Sequence, residues 1–175
     1  MVERTIGDKR LTMVRGDITE IDVEAFVFDI TEDAKLGSGF GGAIQQRGGI
    51  VIQKELDEIG SVPTGEAVVT QAGILNADYI IHVNGPKFRE EDEKGKLENA
   101  IVSALARAEE KGVKRMAFPP IGTGMYQVPV DLCADIMVDT ISRHLANGSN
   151  LEEVLIVVQD PRESTPFEAK FKEGV

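Results

Sequence analysis

Short apolar runs and alternating apolar and polar positions dominate the hydrophobic pattern of this chain. Runs of this length, rich in β-branched and aromatic residues, predict strands that are buried in a sheet. The predicted strands are Arg10–Arg15, Ala25–Phe28, Glu66–Thr70, Asp78–Val83, Lys114–Phe118 and Val154–Val158.

Apolar residues at helical spacing lie between these strands. They predict a short helix over Gly42–Arg47 and further helices over three apolar sets. These sets are Ile52, Leu56 and Ile59, closed by Gly60; Leu97 to Ala108, ending near Gly112; and Leu132 to Leu145, beginning near Val130. Thr165–Glu168 has the form of a capping box with proline at the first helical position, and it predicts a short C-terminal helix.

The alternation of strands and helices predicts a three-layer α/β/α sandwich around a mixed, largely parallel sheet. No internal repeat, low-complexity linker or change in composition interrupts it, so residues 1–175 are expected to form one domain. No apolar run approaches the roughly 20 residues that span a bilayer, and no membrane association is expected. The N-terminus lacks the apolar core of a signal peptide, and Cys133 is the single cysteine. Both features fit a cytoplasmic protein.

The formal net charge is −11, and lysine and arginine are scattered among acids. A protein that binds the phosphate backbone of nucleic acid generally needs a basic face, and the sequence shows none. Binding of bulk nucleic acid is therefore not expected. An anionic ligand would have to be held by local backbone donors.

Two glycine-rich loops offer such donors. Leu36–Ile44 runs into the helix Gly42–Arg47, and Ala117–Pro129 leads from a strand through glycines toward the helix near Val130. Helix N-termini favour anions, and glycine lets a phosphate approach the backbone closely. Either loop alone could be a structural turn. Two of them, each between a strand and a helix, predict a site that grips a diphosphate from two sides.

Other reactive side chains have simpler interpretations. Asp17 follows a strand and precedes a turn, so it is either a cap or a ligand acceptor, and the cap is favoured. His82 and His144 have no Cys, Asp or Glu at ligand spacing, so no metal site and no cofactor are predicted. Cys133 lies early in a helix, where the dipole could lower its pKa. With no histidine identifiable as its base, it is interpreted as a semi-buried structural cysteine.

Five segments in order resemble the macrodomain family: Gly16–Thr19, Leu36–Ile44, Thr64–Thr70, Tyr79–Val83 and Ala117–Tyr126. The resemblance covers about Leu11–Asp160, nearly the whole chain. It implies a three-layer α/β/α fold that binds ADP-ribose. Some members of this family also hydrolyse ADP-ribosyl or O-acetyl-ADP-ribose esters.

The resemblance also implies roles for individual residues. Asp17 would accept a hydrogen bond from the adenine amine, and Ile18 would line the adenine pocket. The first loop would hold the distal ribose and the phosphates through Gly37, Ser38, Gly39, Phe40 and Gly41. The second loop would close over the diphosphate through Gly122, Thr123, Gly124, Met125 and Tyr126.

The chain departs from the family at positions that matter for catalysis. Phe28-Asp-Ile-Thr31 stands where many members have Asn-Ala-Ala-Asn, Gly41 stands where hydrolytic members often have an acid, and Gln159 stands where an aromatic residue often stacks on adenine. Three hypotheses follow. The chain is a non-catalytic or weakly catalytic module that binds ADP-ribose or a related nucleotide, a hydrolase of ADP-ribosyl conjugates in which Asp29 or water replaces the usual groups, or a scaffold for protein contacts with a vestigial pocket.

Overall fold

The computed structural model describes residues 2–37, 40–124 and 126–173, and these residues form a seven-stranded mixed sheet. The strands run in the spatial order β1-β2-β7-β6-β3-β5-β4. Their bounds are Val2–Ile6 (β1), Lys9–Arg15 (β2), Ala25–Asp29 (β3), Ala67–Gln71 (β4), Tyr79–Val83 (β5), Arg115–Phe118 (β6) and Glu153–Val158 (β7).

The five central strands are parallel to one another, and the two edge strands are antiparallel to their neighbours. Strand β3 pairs with β5 in the register Ala25 to Tyr79 and with β6 in the register Ala25 to Met116. At the edges, β1 pairs with β2 and β4 pairs with β5, both antiparallel. The carboxyl ends of β2, β7, β6, β3 and β5 therefore lie along one edge of the sheet, which is called the carboxyl edge below.

Helices cover both faces of the sheet. Their bounds are Phe40–Gly48 (α1), Val51–Ile59 (α2), Glu93–Glu110 (α3), Val130–Ala146 (α4) and Pro161–Glu173 (α5). Ile44 of α1 and Ile52 and Leu56 of α2 belong to one buried cluster, whereas Leu97 of α3 and Phe167 of α5 belong to the other. Helices α1 and α2 thus pack on one face and α3, α4 and α5 on the other, which confirms the predicted three-layer fold.

Alternate side chains of β3 pack into the two hydrophobic cores on opposite faces of the sheet. Ala25 and Val27 pack with the α3–α5 cluster, and Phe26 packs with the α1–α2 cluster. Successive side chains of a strand point to opposite faces. Phe28 accordingly packs against the α1–α2 cluster, and Asp29 lies on the same face of the sheet as Val27.

Two terminal elements differ from the sequence predictions. Strand β1 was not predicted, because Arg4 occupies an inward position of its alternation. The Arg4 guanidinium lies 5.9 Å from the centroid of the Phe171 ring and donates to Ser142 Oγ at 3.2 Å.

The prediction that the last helix starts at Thr165–Glu168 is wrong, because α5 begins at Pro161 and contains Pro166. The side chains of Asp160 and Glu163 both accept from backbone N–H groups at the start of this helix. Glu163 N donates to Asp160 Oδ1 at 3.3 Å, and Gln159 N donates to Glu163 Oε1 at 2.7 Å.

A buried histidine lies on β5. His82 is fully buried, its Nε2 atom is 2.9 Å from Thr70 Oγ1, and its Nδ1 atom has no hydrogen-bond partner. Burial lowers the pKa of His82 to about 3. His82 is therefore a neutral core residue at physiological pH.

No helix in the described ranges has the length and apolarity needed to cross a membrane.

Candidate functional site

The strand order has a topological switch point between β3 and β6, and the space outside the carboxyl ends of these two strands is called the crevice below. The chain leaves β3 for α1 on one face of the sheet and leaves β6 for α4 on the opposite face. In open α/β sheets, ligands bind outside the carboxyl ends of the strands at such a switch in direction. Both glycine loops border this crevice, because the first follows β3 and the second follows β6.

Asp17 lies at one end of this edge, after β2, and its carboxylate has three donors. Its Oδ1 atom accepts from Thr19 N at 2.9 Å and from Thr19 Oγ1 at 2.7 Å, and so caps the short 3₁₀ helix Ile18–Glu20. Its Oδ2 atom accepts from Arg47 Nη1 at 2.9 Å. Burial alone would raise the pKa of Asp17, but the bonds from Thr19 and Arg47 outweigh it and lower the pKa. The favoured prediction of a cap is confirmed, and Arg47 is a partner that the sequence did not indicate.

The first loop is held to α2 by an amide. Gln53 Oε1 accepts from Leu36 N at 2.9 Å, and Gln53 Nε2 donates to the Ala34 carbonyl at 3.0 Å. Gly37 has a φ of 68°, which a side chain would strain. Of the predicted ligand residues in this loop, Ser38, Gly39 and the side chain of Phe40 lie outside the described residues, and the Phe40 backbone begins α1.

Gly41 allows a tight contact at the start of α1. A Cβ atom at this position would lie 1.7 Å from the Leu36 carbonyl oxygen and 2.6 Å from its carbon. An aspartate cannot replace Gly41 unless the first loop moves. The glycine at the position where hydrolytic members often carry an acid is thus required by the packing of this loop.

The second loop folds back on itself before α4. Thr123 Oγ1 donates to the Pro120 carbonyl at 3.0 Å, and Val128 N donates to the Gly122 carbonyl at 3.0 Å. Gly122 is buried with a φ of 76°, and a Cβ atom there would lie 3.0 Å from Val128 Cγ2. Gly124 is exposed, and a Cβ atom there would meet no atom within 4 Å. Met125 lies outside the described residues.

Asp29 joins the end of β3 to the second loop. Gly122 N donates to its carboxylate, with distances of 3.1 Å to Oδ2 and 3.3 Å to Oδ1. Burial raises the pKa of Asp29 to about 7, and the Gly122 bond offsets part of that rise. A carboxyl group that titrates near neutrality thus contacts the second glycine loop.

Asn84 and Tyr126 lie at the other end of the carboxyl edge, after β5. Tyr126 Oη donates to Asn84 Oδ1 at 3.1 Å, and Asn84 Nδ2 donates to the Val62 carbonyl at 2.7 Å. Burial, then the charge of Asp29, raises the pKa of Tyr126. The sequence singled out Tyr126 but not Asn84, which sits outside every local motif and is identified by its position at the end of a central strand.

The residues that depart from the family pattern have other contacts in this structure. Phe28 packs against the apolar α1–α2 cluster, and Thr31 donates its hydroxyl to Asp33. Gln159 is exposed at the turn before α5, where its carbonyl accepts from Arg15 Nε at 3.0 Å. The amide of Asn84 is already bonded at both ends, so it does not supply a free replacement for the missing asparagine.

Cys133 and the two histidines do not add a reactive group to the site. Cys133 is fully buried, with Sγ 3.3 Å from the Ile121 carbonyl oxygen, and burial raises its pKa well above the usual value. His144 pairs with Glu109 at 2.7 Å on the α3–α4 side. Among the residues the structure describes, no three His, Cys, Asp or Glu side chains are arranged to hold a metal ion.

Comparisons with known proteins agree with this architecture. The family model described as "Macro domain" matches residues 30–137. An uncharacterized protein of Sulfurisphaera tokodaii is 42% identical, with 82% of this chain and 81% of that protein covered. The O-acetyl-ADP-ribose deacetylase 1 of Pantoea vagans is 37% identical, covering 87% of this chain and 92% of that one. A variant of the Oceanobacillus iheyensis macrodomain, solved with ADP-ribose, has a TM-score of 0.92 at 28% identity and covers 98% and 96% of the two chains. The chain belongs to the macrodomain family.

Proposed function

We propose that the protein binds ADP-ribose, or a related ADP-ribosyl nucleotide, as a non-catalytic or weakly catalytic module. The observation that carries the proposal is the pair of glycine loops that border the β3–β6 crevice at the carboxyl edge of the sheet. Glycine backbones at this position suit a diphosphate. The similar Oceanobacillus iheyensis macrodomain was solved with ADP-ribose, which supports the same ligand here. ADP-ribosylated molecules are the natural partners of such a module.

The order of strands suggests how the ligand lies. Asp17 follows β2 at one end of the carboxyl edge, and Asn84 follows β5 at the other, with the crevice between them. An ADP-ribose with adenine near Asp17 and its diphosphate at the crevice extends its distal ribose toward Asn84 and Tyr126. This orientation keeps the diphosphate between the two loops, as the family resemblance implies.

Replacing Gly124 with valine should weaken ADP-ribose binding by at least about tenfold, because a branched side chain would occupy the space that a phosphate enters. The position is suited to the test, since a side chain there meets no protein atom within 4 Å and the fold should not change. Calorimetric titration of the unmodified protein, Gly124→Ala and Gly124→Val should give a graded loss. Unchanged affinity of Gly124→Val, at an unchanged melting temperature, would remove the second loop from the site.

Asp17 should give a preference for adenine over hypoxanthine of about tenfold. An ionised carboxylate only accepts hydrogen bonds, so it can pair with the exocyclic amine of adenine but not with the carbonyl of hypoxanthine. The low end of the range for a charged hydrogen bond is expected, because Thr19 and Arg47 already donate to Asp17. Asp17→Ala should lose this preference and also melt at a lower temperature, since it removes the cap.

Titrating ADP-ribose and its inosine analogue into both proteins tests this role. Ribose 5-phosphate, which has no base, is the matched control, and its binding should change little. Equal affinities of the two nucleotides for the unmodified protein would show that Asp17 is a cap only.

A second candidate function is hydrolysis of an ADP-ribosyl conjugate. It is favoured by one observation: the Asp29 carboxyl, whose pKa is raised to about 7, accepts a hydrogen bond from Gly122 N of the second glycine loop. A group with such a pKa can act as a general base at neutral pH. The Pantoea vagans relative carries the name of a deacetylase of O-acetyl-ADP-ribose, which makes that ester the first substrate to test.

A further inference from the structure

Helix α2 holds the segment through which the chain enters the first glycine loop, residues 34–36, which is called the loop stem below. The Gln53 amide pairs with its backbone twice. Gln53 Oε1 accepts from Leu36 N at 2.9 Å, and Gln53 Nε2 donates to the Ala34 carbonyl at 3.0 Å. Nε2 also donates to Asp57 Oδ1 at 2.8 Å. The amide thus bonds the loop stem as a neighbouring strand would.

The loop stem needs these partners because it lies in the interior without regular structure of its own. Its residues belong to no helix or strand, yet Ala34 and Leu36 are both buried. Ala34 also adopts a φ of 58°, which is unfavourable for a residue with a side chain. A buried backbone N–H or carbonyl without a partner costs free energy. Gln53 supplies both of the bonds that a strand would otherwise provide.

The position of Gln53 is itself fixed by packing. Its neighbours Ile52 and Leu56 are fully buried in the α1–α2 cluster and anchor the helix. Asp57, one helical turn after Gln53, pairs with Lys35 Nζ at 2.7 Å. This ion pair is about half exposed on both sides, so it contributes little. The support of the loop stem therefore depends mainly on the Gln53 amide.

Leu36 passes this support on to the start of α1. Its N–H is bonded to Gln53, and its carbonyl oxygen lies so close to Gly41 that a Cβ atom there would be 1.7 Å away. The first N–H groups of a helix have no partner within it, and they favour an anion. The position of these groups at the N-terminus of α1 thus depends on a loop stem that Gln53 holds.

We propose that Gln53 is a positioning residue that keeps the first glycine loop in its phosphate-binding form and so favours a diphosphate over a monophosphate. The inference rests on the proposed function, in which the first loop contacts the phosphates and the distal ribose. A loop that is already ordered loses less conformational entropy when the ligand binds, and its affinity is higher. AMP lacks the second phosphate and the distal ribose, so it gains less from this order.

Calorimetric titration of ADP-ribose and AMP into the unmodified protein and two variants tests the inference. Gln53→Met keeps the length of the side chain and its helix propensity but removes all three bonds. Its affinity for ADP-ribose should fall about tenfold, and its affinity for AMP less than about threefold. Gln53→Glu keeps the acceptor for Leu36 N and loses the donor to Ala34, so it should lose about threefold for ADP-ribose.

Hydrogen exchange at the Leu36 amide measures the state of the loop stem without a ligand. The exchange should be faster in Gln53→Met than in the unmodified protein, because the bond to Gln53 is lost. Lys54→Met is the matched control. It places the same residue at the next position of α2, where the side chain is exposed, and it should change neither affinity nor the exchange at Leu36.

The possible outcomes separate the inference from the proposed function. An ADP-ribose affinity of Gln53→Met within about twofold of the unmodified protein would overturn the inference and leave the proposed function intact. Equal losses for ADP-ribose and AMP would also overturn it, because Gln53 would then support the fold as a whole. If Gln53→Met does not fold, the same comparison with Gln53→Glu decides. An unmodified protein that does not bind ADP-ribose would refute both.

Discussion

Turnover of O-acetyl-ADP-ribose by this protein is expected to be about 10²–10⁴ times slower than by the Pantoea vagans relative named O-acetyl-ADP-ribose deacetylase 1. That range is the usual contribution of a positioned general acid or base. The Phe28 side chain is a hydrocarbon ring at a position where many members have an asparagine, and Gly41 stands where hydrolytic members often have an acid. The nearby amide of Asn84 is bonded to Val62 and Tyr126. An acid cannot be restored at position 41 without displacing Leu36.

Single-turnover measurements on both proteins with O-acetyl-ADP-ribose and a mono-ADP-ribosylated peptide test the expectation. Gly124→Val serves as a variant with an impaired site, and its turnover at low substrate concentration should fall in proportion to its loss of affinity. Turnover as fast as that of the relative, and abolished by Asp29→Ala, would contradict the prediction and make Asp29 a catalytic residue.

Affinity for ADP-ribose should fall at least tenfold between pH 6 and pH 9, because Asp29 loses its proton in this range. The carboxylate and the diphosphate are both negative and compete for the Gly122 N–H. With a pKa of about 7, Asp29 is mostly protonated at pH 6 and mostly ionised at pH 9. The ligand should therefore bind the protonated form and take up a proton as it binds above pH 7.

Other groups near Asp29 do not produce this effect. Tyr126 from the second loop and Cys133 from α4 both interact with its charge, and the pKa values of both are raised above their ordinary alkaline values. The charges of Glu90, Asp33 and Glu32 also raise the pKa of Tyr126, and the charge of Glu163 also raises that of Cys133. Asp29 is thus the group whose titration falls between pH 6 and pH 9.

Calorimetry at several pH values, in two buffers of different ionisation enthalpy, measures both the affinity and the proton uptake. Asp29→Asn keeps the shape of the side chain and the acceptor for Gly122 but carries no charge. It should bind with nearly constant affinity across the range and more tightly than the unmodified protein at pH 9. A pH dependence that persists in Asp29→Asn would show that another group is responsible.

Most of the architecture follows from local pattern. The central strands and helices α3 and α4 were predicted because their apolar residues are buried on a regular spacing, as in Leu97 to Ala108. The predictions failed where a polar residue occupies an inward position of a strand, or where two possible helix starts lie close together. Arg4 packs its stem in β1, and Asp160 with Glu163 caps α5 ahead of the similar pattern at Thr165.

The site was predicted less completely, because its contacts join residues that are far apart in the chain. Asp29 and Gly122 are 93 positions apart, Tyr126 and Asn84 are 42 apart, and Arg47 and Asp17 are 30 apart. Glycine loops can be recognised in a sequence because glycine alone readily adopts positive φ angles and allows close approach to the backbone. Which side chain satisfies a loop N–H depends on the order of the strands, and that order appears only in the fold.

His82 and Asp29 have opposite effects on the proton balance of unfolding. Between about pH 4 and pH 6.5 the folded protein keeps His82 neutral and Asp29 protonated, whereas the unfolded chain protonates the histidine and ionises the aspartate. His82 alone makes stability fall as the pH decreases through this window, and Asp29 alone makes it fall as the pH increases. Each state binds one proton at the two sites taken together, so their contributions to the slope of stability against pH cancel. Together the two residues keep the free energy of unfolding independent of pH in mild acid as far as these sites are concerned. A protein in which only one of them is substituted would become pH-dependent in this window.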